Sequence, residues 1–237
     1  MKPKIFIGVP TRNHAWILRK HLEGLFLLDY PKDRIFVYFL VNDCEDNTEE
    51  IIKEFQAKHK DKYLAIQYEV KNYGKEKDSR TYIRINLYSH FADLKNHVKM
   101  VFLQSDCEYW LHIDSDTIMK PDTAEKFLRH EKGYVCGYCD VSIRQDRILT
   151  NIMRSKKERF YFEDFKKKTG LIETFWAGGI ACIRKDVAQK CNYHQADPRK
   201  DDNLGFCEDV RSMGLTCWAD PTLELIHYMT KEQLWQS

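Results

Sequence analysis

The first half of the chain alternates short apolar runs with amphipathic segments. Residues 4–9 and 34–41 are nearly continuous apolar runs, which is typical of parallel strands covered on both faces. Between them, residues 14–28 carry apolar side chains at spacings of three and four, and Pro31 follows shortly afterwards. Because the residue before a proline avoids the helical region, the pattern predicts a helix that ends near residue 28. Together these segments make one βαβ unit.

The same alternation continues to residue 113. The pattern predicts a helix over 48–59, a strand over 63–68, a helix over 79–94 and a strand over 109–113. This order indicates an α/β fold with a Rossmann-like, mostly parallel central sheet flanked by helices. In such a fold, ligands bind beyond the carboxyl ends of the strands. The second half of the chain is less regular, and we expect a single domain over residues 1–237.

Composition and charge narrow the class of protein. The 237 residues include 38 Lys plus Arg and 36 Asp plus Glu, so the net charge of +2 does not indicate nucleic acid as a partner. No run of about 18 apolar residues is present, so we expect a cytoplasmic protein with at most peripheral contact with the inner face of the membrane. Eight irregularly spaced cysteines fit a reducing compartment, and Cys136 and Cys139 are expected to be ordinary thiols in or beside a strand.

Acidic side chains follow two of the predicted strands. Asp43 comes directly after the second strand, and Asp114 and Asp116 come directly after the fourth. Side chains at i and i+2 of an extended segment face the same way, so Asp114 and Asp116 can present two carboxylates to one site. A divalent metal ion would relieve their repulsion. The alternative is that the segment from Asp114 to Asp116 only caps a turn. Asp43 could likewise be only a turn residue.

Several short motifs follow one another in an order that resembles a known family. They are Val9-Pro10-Thr11-Arg12-Asn13, Val41-Asn42-Asp43, His112-Ile113-Asp114-Ser115-Asp116 with Pro121-Asp122, and Glu208-Asp209. In order and spacing they resemble the family 2 glycosyltransferases of the GT-A fold. Shorter pieces resemble the procollagen galactosyltransferase group, namely Leu28-Asp29-Tyr30-Pro31, Asp46-Asn47-Thr48 and Asp78-Ser79-Arg80.

The resemblance implies a nucleotide-sugar-binding half over residues 1–116 and an acceptor-binding half over 117–237. It implies that Asp43 accepts a hydrogen bond from the base and that Asp116, the last residue of an Asp-x-Asp motif, holds Mn²⁺ or Mg²⁺ with His227. Asp114 would orient the ribose or a metal-bound water and is also implied as a metal residue, and Asp209 would be the general base. The residues implied for the nucleotide-sugar donor are Pro10, Thr11, Asn13, Asp43, Arg80, Asp114, Ser115, Trp176 and Gly178.

The implied activity is metal-dependent transfer of a sugar from a nucleotide-diphosphate sugar, a UDP-sugar being expected. The acceptor would be a hydroxyl of a carbohydrate, a lipid-linked glycan or a protein, with inversion at the anomeric carbon. Trp176 could stack on a sugar face, and the basic, aromatic segment 151–170 is either a solvated helix face or a flap that contacts a phosphorylated acceptor or a membrane.

Each of these residues also has a purely structural interpretation. His227 could be a structural histidine near the chain end, and Glu208 and Asp209 could mark the N-terminus of a helix. The segment 175–182 could be a buried strand with a bulge at Gly178 and Gly179. Two other functions also remain open: a nucleotidyltransferase that makes sugar nucleotides, and a non-catalytic sugar- or protein-binding module of the same fold.

Overall fold

In the computed structural model the chain forms one large mixed sheet with helices on both faces. The structure describes residues 2–73, 80–142, 148–195 and 202–234, with the backbone alone for 80–88. The strands are β1 (Ile5–Thr11), β2 (Ile35–Asn42), β3 (Ala65–Lys71), β4 (Tyr109–Ile113), β5 (Thr117–Ile118), β6 (Tyr134–Tyr138), β7 (Leu149–Met153), β8 (Arg159–Tyr161), β9 (Ile172–Glu173), β10 (Trp176–Ala177), β11 (Ile180–Arg184), β12 (Trp218–Glu224) and β13 (Ile226–His227). The helices are α1 (Ala15–Leu27), α2 (Thr48–His59), α3 (Arg80–Gln104), α4 (Thr123–Leu128), α5 (Phe162–Lys166), α6 (Lys185–Ala188), α7 (Asp202–Ser212) and α8 (Lys231–Leu234).

The strand order of the large sheet is β3-β2-β1-β4-β11-β6-β12-β9. Strands β3, β2, β1 and β4 are parallel, as the alternating pattern predicts. Strand β11 then enters antiparallel between β4 and β6, and β12 pairs in parallel with β6. Strands from both halves of the chain therefore share one sheet, and the α/β prediction is confirmed.

Alternate residues of the strands supply two cores, one on each face of the sheet. On one face Phe6 and Trp110 pack with Phe102 of α3. On the other, Ile5 and Ile7 of the same strand β1 join a cluster that contains Leu18 of α1. Since successive side chains of a strand point to opposite faces, a near-continuous apolar run is what burial on both faces requires.

Some predicted boundaries differ from the structure. The helix predicted over 79–94 continues to Gln104, where Val98 and Phe102 extend its buried face. The segment 175–182 is not one bulged strand, because Gly178 and Gly179 separate β10 from β11, and these strands belong to different sheets. The alternative that a helix begins at Glu208 is wrong, since α7 begins at Asp202. Cys136 lies in β6 and Cys139 directly follows it, both as free buried thiols.

Candidate active site

Asp114 lies at the carboxyl end of β4 against a glycine. Its backbone N donates to the carbonyl of Gly179 at 3.2 Å. Gly179 has a φ of 76°, a conformation that favours glycine, and a β-carbon there would overlap Oδ2 of Asp114. The glycine therefore leaves room for the carboxylate in its observed orientation.

The surroundings of Asp114 favour its ionised form. His112 Nε2 lies 3.5 Å from Asp114 Oδ1. Desolvation works against the charge, but hydrogen bonding and charge from His112, followed by the charges of Lys95 and His227, outweigh it and lower the pKa of Asp114. Burial is the main reason why the pKa of His112 itself is lowered. Asp114 is thus a carboxylate at neutral pH.

Asp116 lies close to His227, which comes much later in the sequence. β13 pairs with β5 so that His227 is opposite Thr117, and the backbone N of Tyr228 donates to the carbonyl of Asp116 at 3.0 Å. His227 Nε2 lies 3.5 Å from Asp116 Oδ2. His227 Nδ1 lies 3.1 Å from the carbonyl oxygen of Asp140, which can only accept a hydrogen bond, so Nδ1 carries a proton. Burial opposes protonation of His227, but Asp116 and this carbonyl outweigh burial and raise its pKa.

The pair Asp116 and His227 fits a divalent cation. Asp116 Oδ1 is buried and has no hydrogen-bond partner among the described residues. In the neutral form of His227 the proton on Nδ1 leaves the Nε2 lone pair directed to the side of Asp116. The described part of the chain contains no cluster of three or more His, Cys, Asp or Glu side chains suited to a metal. A cation here would therefore take its remaining ligands from phosphate oxygens and water, as Mg²⁺ commonly does.

A cavity of about 450 Å³, here called the β1 cavity, opens at the carboxyl ends of β1, β2 and β4. It brings together four residues that the sequence predicts for the donor, Pro10, Thr11, Asp114 and Ser115, with Asp116, which the sequence predicts for the metal ion. Its other lining residues are Arg12, His14, Asn42, Phe91, Leu94 and Lys95. The sheet edge thus forms the predicted cleft.

Other predicted donor residues lie elsewhere. Asn13 and Asp43 are absent from the lining of this cavity in the described structure, and both have positive φ, 51° and 46°. Asn13 Oδ1 accepts from the backbone N of Glu45, and Asp43 Oδ1 accepts from the backbone N of Tyr73. They connect the loops around the cavity. The side chain of Arg80 lies outside the described residues.

A second cavity of about 520 Å³, the Trp176 cavity, adjoins the first and shares Phe91, Lys95 and Asp114 with it. Trp176, Gly178 and His227 line it, as do Asp202, Asn203, Arg159 and Asn151. Asn151 Nδ2 donates to the carbonyl of Gly178 at 2.8 Å, which fixes the glycine turn. The Arg159 guanidinium lies 5.9 Å from the centroid of the Trp176 ring.

The polar residues of the site that were not predicted from the sequence include His14, Lys95 and Asp202. His14 Nδ1 lies 2.6 Å from Ser115 Oγ, at the start of α1. Lys95 Nζ pairs with Asp202 Oδ2 at 2.9 Å at the junction of the two cavities. Lys95 lies within α3 and Asp202 at the start of α7, so neither directly follows a strand, the position at which the sequence predicts site residues.

Asp209 is not brought to this site. Its carboxylate accepts from the backbone N of Asn192 at 2.9 Å and lies 3.2 Å from His194 Nε2. It is seven residues along α7 from Asp202, about 10 Å on a helix axis. Among the described residues it lines neither cavity. Asp202 is the carboxylate that α7 contributes to the Trp176 cavity.

No helix in the described ranges has the length and apolar character needed to cross a membrane.

Residues 2–161 match a family model described as the N-terminal domain of glycosyltransferase family 25. Procollagen galactosyltransferase 1 of Danio rerio is 24% identical over 140 residues, which are 57% of this chain and 23% of that protein. The probable glycosyltransferase YdaM of Bacillus subtilis is 30% identical over 100 residues, covering 42% of this chain and 22% of that protein. The chain thus spans about a quarter of the length of these relatives.

Solved structures with a similar fold include a mannosyltransferase and a protein crystallised with a nucleotide sugar. The mannosyltransferase PcManGT from Pyrobaculum calidifontis, solved with GDP-Man and Mn²⁺, aligns with 100% of this chain and 60% of its own, at a TM-score of 0.62 and 14% identity. S. aureus TarS with UDP-GlcNAc aligns with 96% of this chain and 59% of its own, at a TM-score of 0.58 and 14% identity. The predicted likeness to GT-A glycosyltransferases and to procollagen galactosyltransferases is confirmed. Because the family model covers more than half of its residues, the chain belongs to glycosyltransferase family 25.

Proposed function

We propose that this chain transfers a sugar from a nucleoside-diphosphate sugar, a UDP-sugar being expected, to an acceptor hydroxyl with the help of a divalent metal ion. The observation that carries the proposal is the position of Asp114 and Asp116, which leave β4 and line a cavity together with the ends of β1 and β2. Family membership and the nucleotide sugars bound by PcManGT and TarS support it.

In this proposal the β1 cavity holds the nucleotide. Pro10, Thr11 and Asn42 line its strand-end wall, where base and ribose would lie. Ser115, hydrogen-bonded to His14, and the ionised Asp114 would bind ribose or sugar hydroxyls, since both can accept hydrogen bonds from them.

Asp116 and His227 would hold Mn²⁺ or Mg²⁺. When bound, the metal ion supplies Lewis-acid stabilisation of the charge that grows on the leaving diphosphate. The carbonyl of Asp140 orients the His227 ring, as outer hydrogen-bond partners do for metal-bound histidines. Protonation of His227 would compete with this role, because the same Nε2 would then carry a proton.

Asp202 is our candidate for the general base. The acceptor hydroxyl has to lose a proton as it attacks the anomeric carbon, and a carboxylate within reach of that proton can accept it. Asp202 and Asp114 both line the Trp176 cavity, whereas Asp209 is absent from its lining in the described structure. One carboxylate on the acceptor side suits inversion. Asp209, expected from the resemblance, stays a prediction that the Asp209→Asn variant tests.

The acceptor would enter through the Trp176 cavity. A further cavity of about 710 Å³ adjoins it and is lined by basic and aromatic residues, among them Arg154, Lys157, Phe160 and Lys168. Arg159 and Leu149 line both cavities, so an extended acceptor could contact both. A carbohydrate, a lipid-linked glycan and a protein side chain are the acceptor classes proposed.

Thermal stabilisation by a panel of nucleotide sugars, with and without MnCl₂, tests the proposal. We expect metal-dependent stabilisation by one donor in the wild-type protein and none in Asp116→Ala. Asp122→Ala, which removes an exposed carboxylate at the start of α4, should behave as wild type. Stabilisation by a nucleoside triphosphate with a sugar phosphate would indicate a nucleotidyltransferase instead. No metal-dependent stabilisation by any donor would contradict the proposal and indicate a binding module.

A further inference from the structure

Lys95 is a buried cation at the junction of the two cavities. Only 7% of its surface is exposed, and it lines both the β1 cavity and the Trp176 cavity. Asp114 lines both as well. Lys95 therefore borders both the space assigned to the nucleotide and the space assigned to the acceptor.

Two partners of Lys95 among the described residues lie at the start of α7. Nζ lies 2.9 Å from Asp202 Oδ2 and donates to Asn203 Oδ1 at 3.0 Å, and it lies 5.1 Å from the centroid of the Tyr193 ring. Asp202 is 1% exposed. A buried ammonium group needs an anionic partner, because its charge is costly to desolvate. If Lys95 separates from Asp202, another anion therefore has to take the place of the Asp202 carboxylate.

A nucleoside-diphosphate donor would bring such an anion to the same lysine. The charged side chains that line the β1 cavity, apart from His14, are Arg12, Lys95, Asp114 and Asp116 in the described structure. The two carboxylates repel a diphosphate unless a metal ion is bound between them. Arg12 is exposed at the rim, so Lys95 is the buried cation of this lining. Charge-assisted hydrogen bonds to phosphate are strongest where water is excluded.

We propose that Lys95 exchanges partners during the reaction, pairing with Asp202 in the free protein and with the diphosphate of the bound donor. Asp202 is then released to take the acceptor's proton only after the donor is in place. This inference rests on the proposed function and adds a coupling between donor binding and the candidate base. Lys95 is a positioning residue for Asp202 and a ligand of the leaving group.

If Lys95 and Asp202 instead form a permanent structural ion pair, a different effect of the two substitutions on donor binding is expected. If Lys95 only fastens α3 to α7, loss of either partner disturbs the same contact, and donor binding falls in both variants or in neither. If Lys95 exchanges partners, Asp202 competes with the diphosphate, and the two single substitutions change diphosphate affinity in opposite directions.

Calorimetric titration measures this without an acceptor. UDP and GDP are titrated into the wild-type protein in MnCl₂, and the tighter one is used for the variants. We expect Lys95→Met to weaken diphosphate binding about ten- to hundredfold. Asp202→Asn should tighten it several-fold, and Lys95→Arg should keep most of the affinity. The matching nucleoside, which lacks phosphate, should show no such pattern.

A control and a double variant complete the experiment. Lys99 is also buried, lies one turn further along α3, donates to the carbonyl of Cys191 at 2.8 Å and lines neither cavity in the described structure. Lys99→Met should therefore bind the diphosphate like wild type. In the Lys95→Met background, Asp202→Asn should no longer tighten binding, which separates competition for Lys95 from the general effect of removing a negative charge.

The results that overturn the inference are equally specific. A single substitution that leaves one buried charge can prevent folding, but the double variant removes both charges. Diphosphate binding of wild-type strength in the folded double variant would overturn the exchange, and so would unchanged or weaker binding in folded Asp202→Asn. If the wild-type protein binds neither UDP nor GDP, the proposed function itself fails, and the inference with it.

Discussion

His227 Nε2 and Asp116 Oδ2 lie 3.5 Å apart, although one residue is near the end of the chain and the other follows β4. The antiparallel pairing of β13 with β5 brings them together. The ring of His227 is held from its other nitrogen by the carbonyl of Asp140 at 3.1 Å. Backbone contacts on both sides thus fix a carboxylate and an imidazole in a position where a metal ion can bind.

Replacing His227 tests this contact. His227→Ala removes an imidazole but leaves Asp116, so we expect Mn²⁺-dependent binding of UDP to weaken about tenfold or more. Calorimetric titration with and without MnCl₂ measures the effect. The matched control is His194→Ala, which removes an exposed histidine paired with Asp209 and should bind as wild type. Equal losses in the two variants would mean that His227 has no specific role.

Replacing Gly179 tests the room left for Asp114. An alanine there has to adopt a φ near 76° and overlaps Oδ2 of Asp114, so the carboxylate has to rotate away. We expect Gly179→Ala to lose about 1–2 kcal/mol of stability from the backbone alone, together with most of its UDP binding. Gly214 has a similar φ of 74° with nothing near a β-carbon. Gly214→Ala should show the same stability loss and normal UDP binding.

Most of the first half of the fold could be predicted from the sequence, since buried parallel strands have a distinctive pattern. The predicted helix over 48–59 and the predicted strand over 109–113 have the observed bounds. The place of β11 between β4 and β6 could not be predicted, because antiparallel insertion depends on long-range pairing. The extension of α3 to Gln104 was missed since its later turns bury polar residues, Lys95 and Lys99, beside apolar ones.

The sequence predicted several lining residues of the β1 cavity from their position after a strand, but Asp43, which directly follows β2, is absent from that lining in the described structure. Thr11 at the end of β1 and Asp114 and Asp116 after β4 meet in one cavity, because parallel strands end at one edge. Lys95 and Asp202 were missed because each lies on a helix whose approach to the cavity depends on tertiary packing. Neither has a neighbouring motif that indicates a site.

Asp202 and Asp209, which both lie in α7, give different expectations for catalysis. Asp202→Asn should bind the donor several-fold more tightly than wild type and lose transfer by about 10²- to 10⁴-fold, as expected for loss of a general base. Asp209→Asn should transfer at close to the wild-type rate, since its carboxylate bonds to Asn192 and His194. Product formation from the donor found by thermal shift is the measurement. The reverse result would assign the base to Asp209.

Asp220 gives a prediction about acid stability. Burial raises its pKa, but hydrogen bonds from His130, Thr222 and Arg129 outweigh this and lower it. A folded pKa below the unfolded value of about 3.9 means that this stabilisation is present above that pH and is lost as pH falls through the folded pKa. We expect Asp220→Asn to cost about 2 kcal/mol at pH 7 and less below pH 4.

Urea unfolding at a series of pH values measures this difference. Asp106→Asn is the control, because Asp106 pairs with Lys4 on an exposed surface and such pairs contribute little. A constant difference between wild type and Asp220→Asn from pH 7 to pH 3 would contradict the interpretation.

A crystal soaked with MnCl₂ and UDP, with the anomalous signal of manganese recorded, tests whether the carboxylates after β4 hold a metal ion beside a nucleotide. We expect one strong peak beside Asp116 and His227, next to the diphosphate in the β1 cavity. A peak elsewhere, with Asp114 and Asp116 turned away from the nucleotide and bonded only to neighbouring backbone, would contradict this expectation.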